Sequence, residues 1–376
     1  MNEFLFPLLL ILLASVFQGT FGLGMKYVKP VAWEAWWLVH ASVAMLIFPL
    51  IWAFLVVPEL TQVLQQAPLD EVRQGAVLGF LWGIGGMMFG ISVGYIGMSL
   101  TYGIVMGLCS LVGSLIPLIL RSGNTSSEAM VFVLIGLALL AVGVVICTIA
   151  GLQRDKVASE RGQQLEGIKT GRDLRIGLVI ACVCGVLSAM LAVGFDRTET
   201  IGRIAVEHGA VERNSALARW VVVLAGAYLM NAGYAVFLLI KNRSLGSIKN
   251  DGAFQALKWA VIAGLLWFAA LGTFGQGAAL MGELGTVIGW PMLLGLSLIV
   301  SNAVGVITGE WKGMAKPFLT MAAGVLLIIV ATVVMSYAST LNPKASDSGD
   351  ETAYRIGTVE TMPTVPGVVA PLADTI

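Results

Sequence analysis

The chain reads as an all-α integral membrane protein of ten transmembrane helices arranged as two inverted five-helix repeats, and three observations carry that reading. Of its 376 residues 57% are hydrophobic and only 12% charged, and the mean hydropathy is +0.89. A soluble domain carries roughly a quarter charged residues, so a chain this apolar has too little polar surface to face water and takes lipid as its main solvent. Ten stretches each approach the roughly 20 mostly apolar residues that a helix needs to cross a bilayer. The third observation is a weak internal repeat, set out below.

The ten stretches lie at 5–25, 33–57, 74–95, 100–120, 129–151, 176–195, 218–240, 257–280, 285–308 and 317–339. The first resembles a signal peptide in its apolar run, but only Glu3 precedes it and the first basic residues, Lys26 and Lys29, follow it. A signal peptide carries its positive charge ahead of the run, so this one is expected to stay as the first helix. Five helices (1–151), a polar cytoplasmic linker (152–175) and five more (176–339) make up the expected body. The tail, 340–376, is rich in Pro, Ser, Thr and Asp, lacks periodic apolar residues and is expected to be disordered.

Lys and Arg orient the array, because cytoplasmic loops hold more of them. Loops after odd-numbered helices carry fourteen, from Lys26 to Lys316; loops after even-numbered helices and the tail carry eight, among them Arg121, Arg197 and Arg219. The odd loops are therefore expected in the cytoplasm and both termini outside. The formal net charge is zero, which lacks the clustered basic face of a nucleic-acid partner. Cys109, Cys147, Cys182 and Cys184 all fall in apolar stretches and read as small hydrophobes, not as a disulfide or metal framework.

The repeat appears on a shift of 185 residues, which lays Gly79, Trp82, Phe89, Gly90, Gly97 and Thr101 onto Gly264, Trp267, Phe274, Gly275, Gly282 and Thr286. Five helices per half is an odd number, so the second copy enters the membrane upside down. Such inverted repeats mark many secondary transporters, whose solute site lies near the midplane between the halves.

Glycine spacing gives the first candidate site. Gly90 and Gly94, Gly103 and Gly107, and Gly285 and Gly289 are small-xxx-small pairs, and Gly103, Gly107, Ser110 and Ser114 continue along one face of the fourth helix. Close helix packing explains such a stripe; so does a cavity lined by backbone and hydroxyls, with Pro117 and Pro291 freeing carbonyls nearby. Trp290 and Asn302 of the ninth helix complete the candidate solute-binding set.

Ionisable groups inside a membrane give the second, because burying a charge in lipid is expensive. Glu34 and His40 lie in the second helix, while Lys26, Asp196 and Glu283 sit at helix ends. Trp33, Trp36 and Trp37 flank Glu34, which suits either an interfacial belt or a proton-coupling carboxylate. His40 suits either a neutral imidazole bonded to a neighbour or a proton carrier that titrates near neutral pH. Gly90-Ile91-Ser92-Val93-Gly94 spells a nucleophile elbow, but it lies in mid-helix where that motif needs a strand–turn–helix context. No zinc, phosphate-loop or paired-cysteine motif appears, so neither metal nor cofactor is expected. Asn124-Thr125-Ser126 and Asn242-Arg243-Ser244 match the glycosylation sequon on opposite sides of the membrane, so both cannot be used.

Three stretches resemble the L-rhamnose–proton symporter family of the drug/metabolite transporter superfamily: Lys26-Tyr27-Val28-Lys29 with Trp33-Glu34; Tyr95-Ile96-Gly97-Met98-Ser99 continuing through Gly103, Gly107, Gly113 and Pro117; and Gly309-Glu310-Trp311-Lys312. The resemblance implies ten helices, an inner-membrane location and proton-driven uptake of a deoxysugar such as L-rhamnose, with sugar, proton and lipid as partners. Of the two coupling candidates it favours Glu34, which belongs to the Trp-Glu pair. The ninth helix departs from the pattern, offering mainly Trp290, Ser297, Ser301 and Asn302. Export of metabolites or drugs is the alternative within transport; a membrane-embedded enzyme using Ser92 and His40, or a scaffold, is the alternative outside it.

Overall fold

The structure, a computed structural model, describes residues 2–121, 126–162, 171–309 and 311–341, with side chains from residue 5 onward. Among these residues ten helices are long and apolar enough to cross a membrane. They are α1 (Leu5–Tyr27), α2 (Trp33–Val56), α3 (Leu69–Ile96), α4 (Met98–Leu120), α5 (Ser127–Glu160), α6 (Gly171–Glu207), α7 (Glu212–Lys241), α8 (Ala253–Leu280), α9 (Gly282–Ile307) and α10 (Ala315–Thr340). With no water to pair backbone groups in hydrocarbon, each apolar stretch closes its own hydrogen bonds as a helix. Large apolar side chains such as Leu55, Ile119, Ile240 and Phe254 point outward, 68–82% exposed, as lipid-facing groups do.

Three local features depart from plain helices. α2 passes through a π-helical segment, Val43–Ile47, just ahead of Pro49. Proline lacks an amide hydrogen and its ring crowds the carbonyl four residues earlier, which is one of the recognised causes of such a widening. α6 is broken after Asp196, and the short helix Glu199–Glu207 follows. α5 runs nine residues past the apolar stretch that ends at Gly151, because Gln, Arg, Asp, Lys and Glu end the hydrophobic pattern without ending helix propensity. Within the expected linker, residues 171–175 open α6, and residues 163–170 lie outside the described residues, as do Asn124, Glu310 and the tail from 342.

The principal helix pairs are α5 with α10, α3 with α6 and α7, α1 with α8 and α9, α4 with α5, α6 and α9, α2 with α7 and α8, and α9 with α10. α9 is the most enclosed, with 72% of its most apolar window buried against 22% in α1 and α3. α5 and α10 run antiparallel, since Gly136 meets Met335, Gly143 meets Ile328, and Gln153 accepts a hydrogen bond from Thr320. Where α3 crosses α7 the backbones touch: a Cβ on Gly79 would fall on the Val223 carbonyl, and one on Gly226 on that of Ala76. The polar links sort to two ends. Ser99 donates to Asp155, and Arg161 to the Lys312 and Gly313 carbonyls, at the end of the odd loops. Arg121 pairs with Asp196, and His208 bonds Glu59 and Gln66, at the end of the even loops.

Candidate functional site

Glu34 lies in the first turn of α2, buried, and its Oε1 accepts from Asn242 Nδ2 at 3.0 Å and from the Ser244 hydroxyl. Both donors stand just past the end of α7, so this carboxylate ties α2 to the α7–α8 connection at the odd-loop end. A carboxylate accepting two such bonds is well satisfied, as a buried charge must be.

His40 sits almost two turns further in and is 1% exposed. Its ring stacks with Trp36 at 5.4 Å, tilts against Trp37 at 4.9 Å and faces Phe21 of α1 at 6.3 Å. Trp37 Nε1 donates to Asn231 Oδ1 of α7 at 3.1 Å, and the Ser42 and Tyr228 hydroxyls approach to 3.4 Å. Glu34 and His40, both expected to bear on proton coupling, thus occupy separate surroundings on one helix.

The set expected on α4 and α9 divides. Gly103 and Gly107 turn toward Thr148 and Val144 of α5. Ser114 donates to the Val287 carbonyl of α9, and Gly113 lies under the Trp290 ring, so these two helices meet there. Ser110 is buried in the same stretch of α4. Asn302 lies three turns past Trp290 and donates back to the Leu298 carbonyl of its own helix. Ser92 bonds Thr101 and the Gly177 carbonyl inside an unbroken helix, far from an elbow's turn. The four cysteines are free, and no group of three metal-ligating side chains occurs among the described residues.

Two sets of contacts went unread in the sequence. Trp82 and Trp267, midway along α3 and α8, face each other at 5.4 Å. At the even-loop end Phe195, Trp220, Phe274 and Trp290 form an aromatic cluster, with Phe195 and Trp220 stacked at 4.4 Å and Phe274 edge-on to Trp290. Arg219, only 8% exposed, lies 3.8 Å over the Phe195 ring and donates to the Phe195 carbonyl. Beside it Arg121 bridges Asp196 and Glu199; burial opposes its charge, but those carboxylates outweigh it and hold the guanidinium above its ordinary pKa. The charge count assigns Arg219 to the preceding loop, although the seventh apolar stretch begins at 218; an arginine inside that stretch was the available signal.

Ten spanning helices with a lipid-facing apolar surface define a multi-pass membrane protein whose polar groups are gathered in its interior and at its two ends. The family model described as "L-rhamnose-proton symport protein (RhaT)" matches residues 2–340. The chain belongs to that family, and is a transporter rather than an enzyme. It is 26% identical over 324 residues to the L-rhamnose-proton symporter of Yersinia pestis (strain Pestoides F), covering 82% of this chain and 91% of that one. To the L-rhamnose-proton symporter of Salmonella gallinarum (strain 287/91 / NCTC 13346) it is 26% identical over 326 residues, 84% of this chain and 92% of the other. A solved structure described as "Crystal structure of protein" aligns with a TM-score of 0.55 at 16% identity, over 88% of this chain and 96% of that one; this likeness shows the fold alone.

Proposed function

We propose that this chain takes L-rhamnose or a closely similar deoxysugar into the cell with a proton, across the inner membrane, by alternating exposure of a site between two inverted five-helix halves. The observation that carries the reading is the Trp82–Trp267 contact. These tryptophans are counterparts under the 185-residue shift, and counterparts that touch mark where an axis relating the halves would pass. The packing supports the same relation, because a shift of five helices carries α3–α6 onto α8–α1, α4–α6 onto α9–α1, α4–α5 onto α9–α10 and α3–α7 onto α8–α2.

The halves are unequal in one respect. A Cβ on Gly275 of α8 would lie 2.6 Å from Trp220 Nε1, whereas its counterpart Gly90 on α3 has nothing within 4 Å, nor have Gly86 and Gly94. The place around Gly275 is thus filled by the aromatic cluster while the matching place around Gly90 has no neighbouring atom, an inequality that fits a carrier caught on one side of its cycle. The fourteen-to-eight bias of basic residues puts the odd-loop end in the cytoplasm and both termini outside.

In this mechanism sugar and proton bind from outside, the halves rock, and both leave to the cytoplasm. Glu34 is the proposed coupling group, since it ties α2 to the α7–α8 connection and lies near the odd-loop end, where a carboxylate exchanges protons with water. Proteoliposomes bearing an alkaline interior should accumulate labelled L-rhamnose, and a protonophore should abolish the accumulation. Glu34→Gln should remove gradient-driven accumulation and spare exchange between equal sugar pools, which needs no net proton release. Uptake indifferent to the gradient in the native chain would refute proton coupling; wild-type accumulation by Glu34→Gln would refute Glu34's part in it.

A further inference from the structure

Buried polar atoms in folded proteins are nearly always hydrogen-bonded, and each one left bare costs free energy. Around the first half of α2 three are bare together. Trp36 Nε1 and His40 Nδ1 have no partner among the described residues, and neither has Oε1 of Gln18, which lies one turn before Phe21 on the same face of α1. Trp36 and His40 are stacked rings, and Phe21 faces His40, so the three atoms belong to one neighbourhood. Across from them Asn231 uses one amide hydrogen on the Ala227 carbonyl and one oxygen lone pair on Trp37. A primary amide has a second of each.

The place is also structurally marked. The π-helical segment of α2 begins three residues after His40, and such segments occur often at functional sites. Gly83 of α3 brings its backbone against Asn231, and Gly264 of α8 brings its own against the His40 carbonyl, so α3 and α8 close on this neighbourhood one residue and one turn from Trp82 and Trp267. It therefore lies beside the proposed axis, where a carrier holds its solute.

A deoxysugar ring has two kinds of surface. Its C–H face and methyl group are apolar and suit aromatic rings, while its hydroxyls each donate and accept. Binding sites of that sort combine apolar and aromatic walls with a few well-placed polar groups. We propose that Gln18, Trp36, Trp37, His40 and Asn231 form the sugar site, with the aromatic side chains walling it and Trp36 Nε1, the amides and the imidazole taking hydroxyls. This goes past the α4–α9 set that glycine spacing suggests, and it rests on the reading of the chain as a deoxysugar carrier.

The test is equilibrium binding of labelled L-rhamnose to the purified full chain in nanodiscs. His40→Phe keeps a stacking ring and removes its nitrogens; Asn231→Leu keeps volume and removes the amide. Each should bind at least tenfold more weakly while melting within a few degrees of the native chain, and Thr320→Ala on α10 should bind normally. If the native chain binds and both variants bind as tightly, the site is overturned and the carrier reading stands. If the native chain neither binds nor transports L-rhamnose, the carrier reading fails and the site falls with it. Should the variants not fold, Ser42→Cys in the otherwise native chain supplies the second readout, its alkylation followed at that residue by mass spectrometry. Saturating L-rhamnose should slow it at least threefold, and unslowed alkylation in a sugar-binding chain overturns the site.

Discussion

Replacing glycine by alanine should have opposite effects at two places in this bundle. At Gly226 the added Cβ would land on the Ala76 carbonyl, and because the obstacle is backbone, no rotamer change clears it. The only relief is for α3 and α7 to move apart, which also unseats Gly79 from the Val223 carbonyl. Overpacking a core costs about 1–3 kcal/mol, and a backbone collision belongs at the upper end. Alanine regains about 1 kcal/mol over glycine in a helix, so Gly226→Ala should lose about 2 kcal/mol net. At Gly107 the nearest atom to the new Cβ is Val144 Cγ1 at 3.6 Å, an ordinary contact. There the helical gain should appear whole, making Gly107→Ala about 1 kcal/mol more stable than the native chain. SDS-induced unfolding in mixed micelles, followed by tryptophan fluorescence, should separate the two variants by about 3 kcal/mol in opposite directions. Equal stability of the two would refute the assignment of the α3–α7 crossing as the tightest backbone approach.

Other perturbations follow from the same contacts. Ser114→Ala removes the buried bond to the Val287 carbonyl and should cost about 1 kcal/mol in the same assay, with no change in which sugars compete for uptake. Arg121→Met strands the buried Asp196 carboxylate and should cost about 3 kcal/mol, most of it recovered by adding Asp196→Asn; no recovery would mean that the pair at 3.0 Å is not what holds α4 to α6. For orientation, Lys156→Cys on the exposed extension of α5 should resist an impermeant thiol reagent in intact cells while Glu207→Cys reacts, and the reverse pattern would invert the topology.

Spans were legible because bilayer thickness sets their length, and a window of about 20 apolar residues tests directly for that. All ten stretches correspond to helices, and the departures are at the ends, where hydropathy stops informing. α3 starts at Leu69, before its apolar stretch, because Asp70 and Glu71 suit the positive end of a helix although they do not suit lipid. α5 continues to Glu160 for a related reason. Trp82 and Trp267 were legible as counterparts, since a fixed shift is a one-dimensional property, but their contact was not.

The site was less legible because its residues are joined across the chain. Trp37 and Asn231 are 194 residues apart, and nothing local to either announces the other. Spacing on a helix says which side chains share a face and leaves open what that face meets. Gly103 and Gly107 meet α5, whereas Gly90 and Gly94, with the same spacing, meet nothing within 4 Å. A glycine stripe therefore has no fixed meaning until its neighbour is known. A buried polar atom is different, because its chemistry demands a partner wherever it lies. His40 stood out in the sequence on those grounds, being an ionisable group inside a span, and three of the bare donors and acceptors lie around it, while two more, Trp220 Nε1 and Trp290 Nε1, lie against Gly275 and Gly113. In chains of this composition the few polar residues within the spans carry more information about the site than the many small ones, since lipid tolerates a glycine anywhere and a bare imidazole nitrogen almost nowhere.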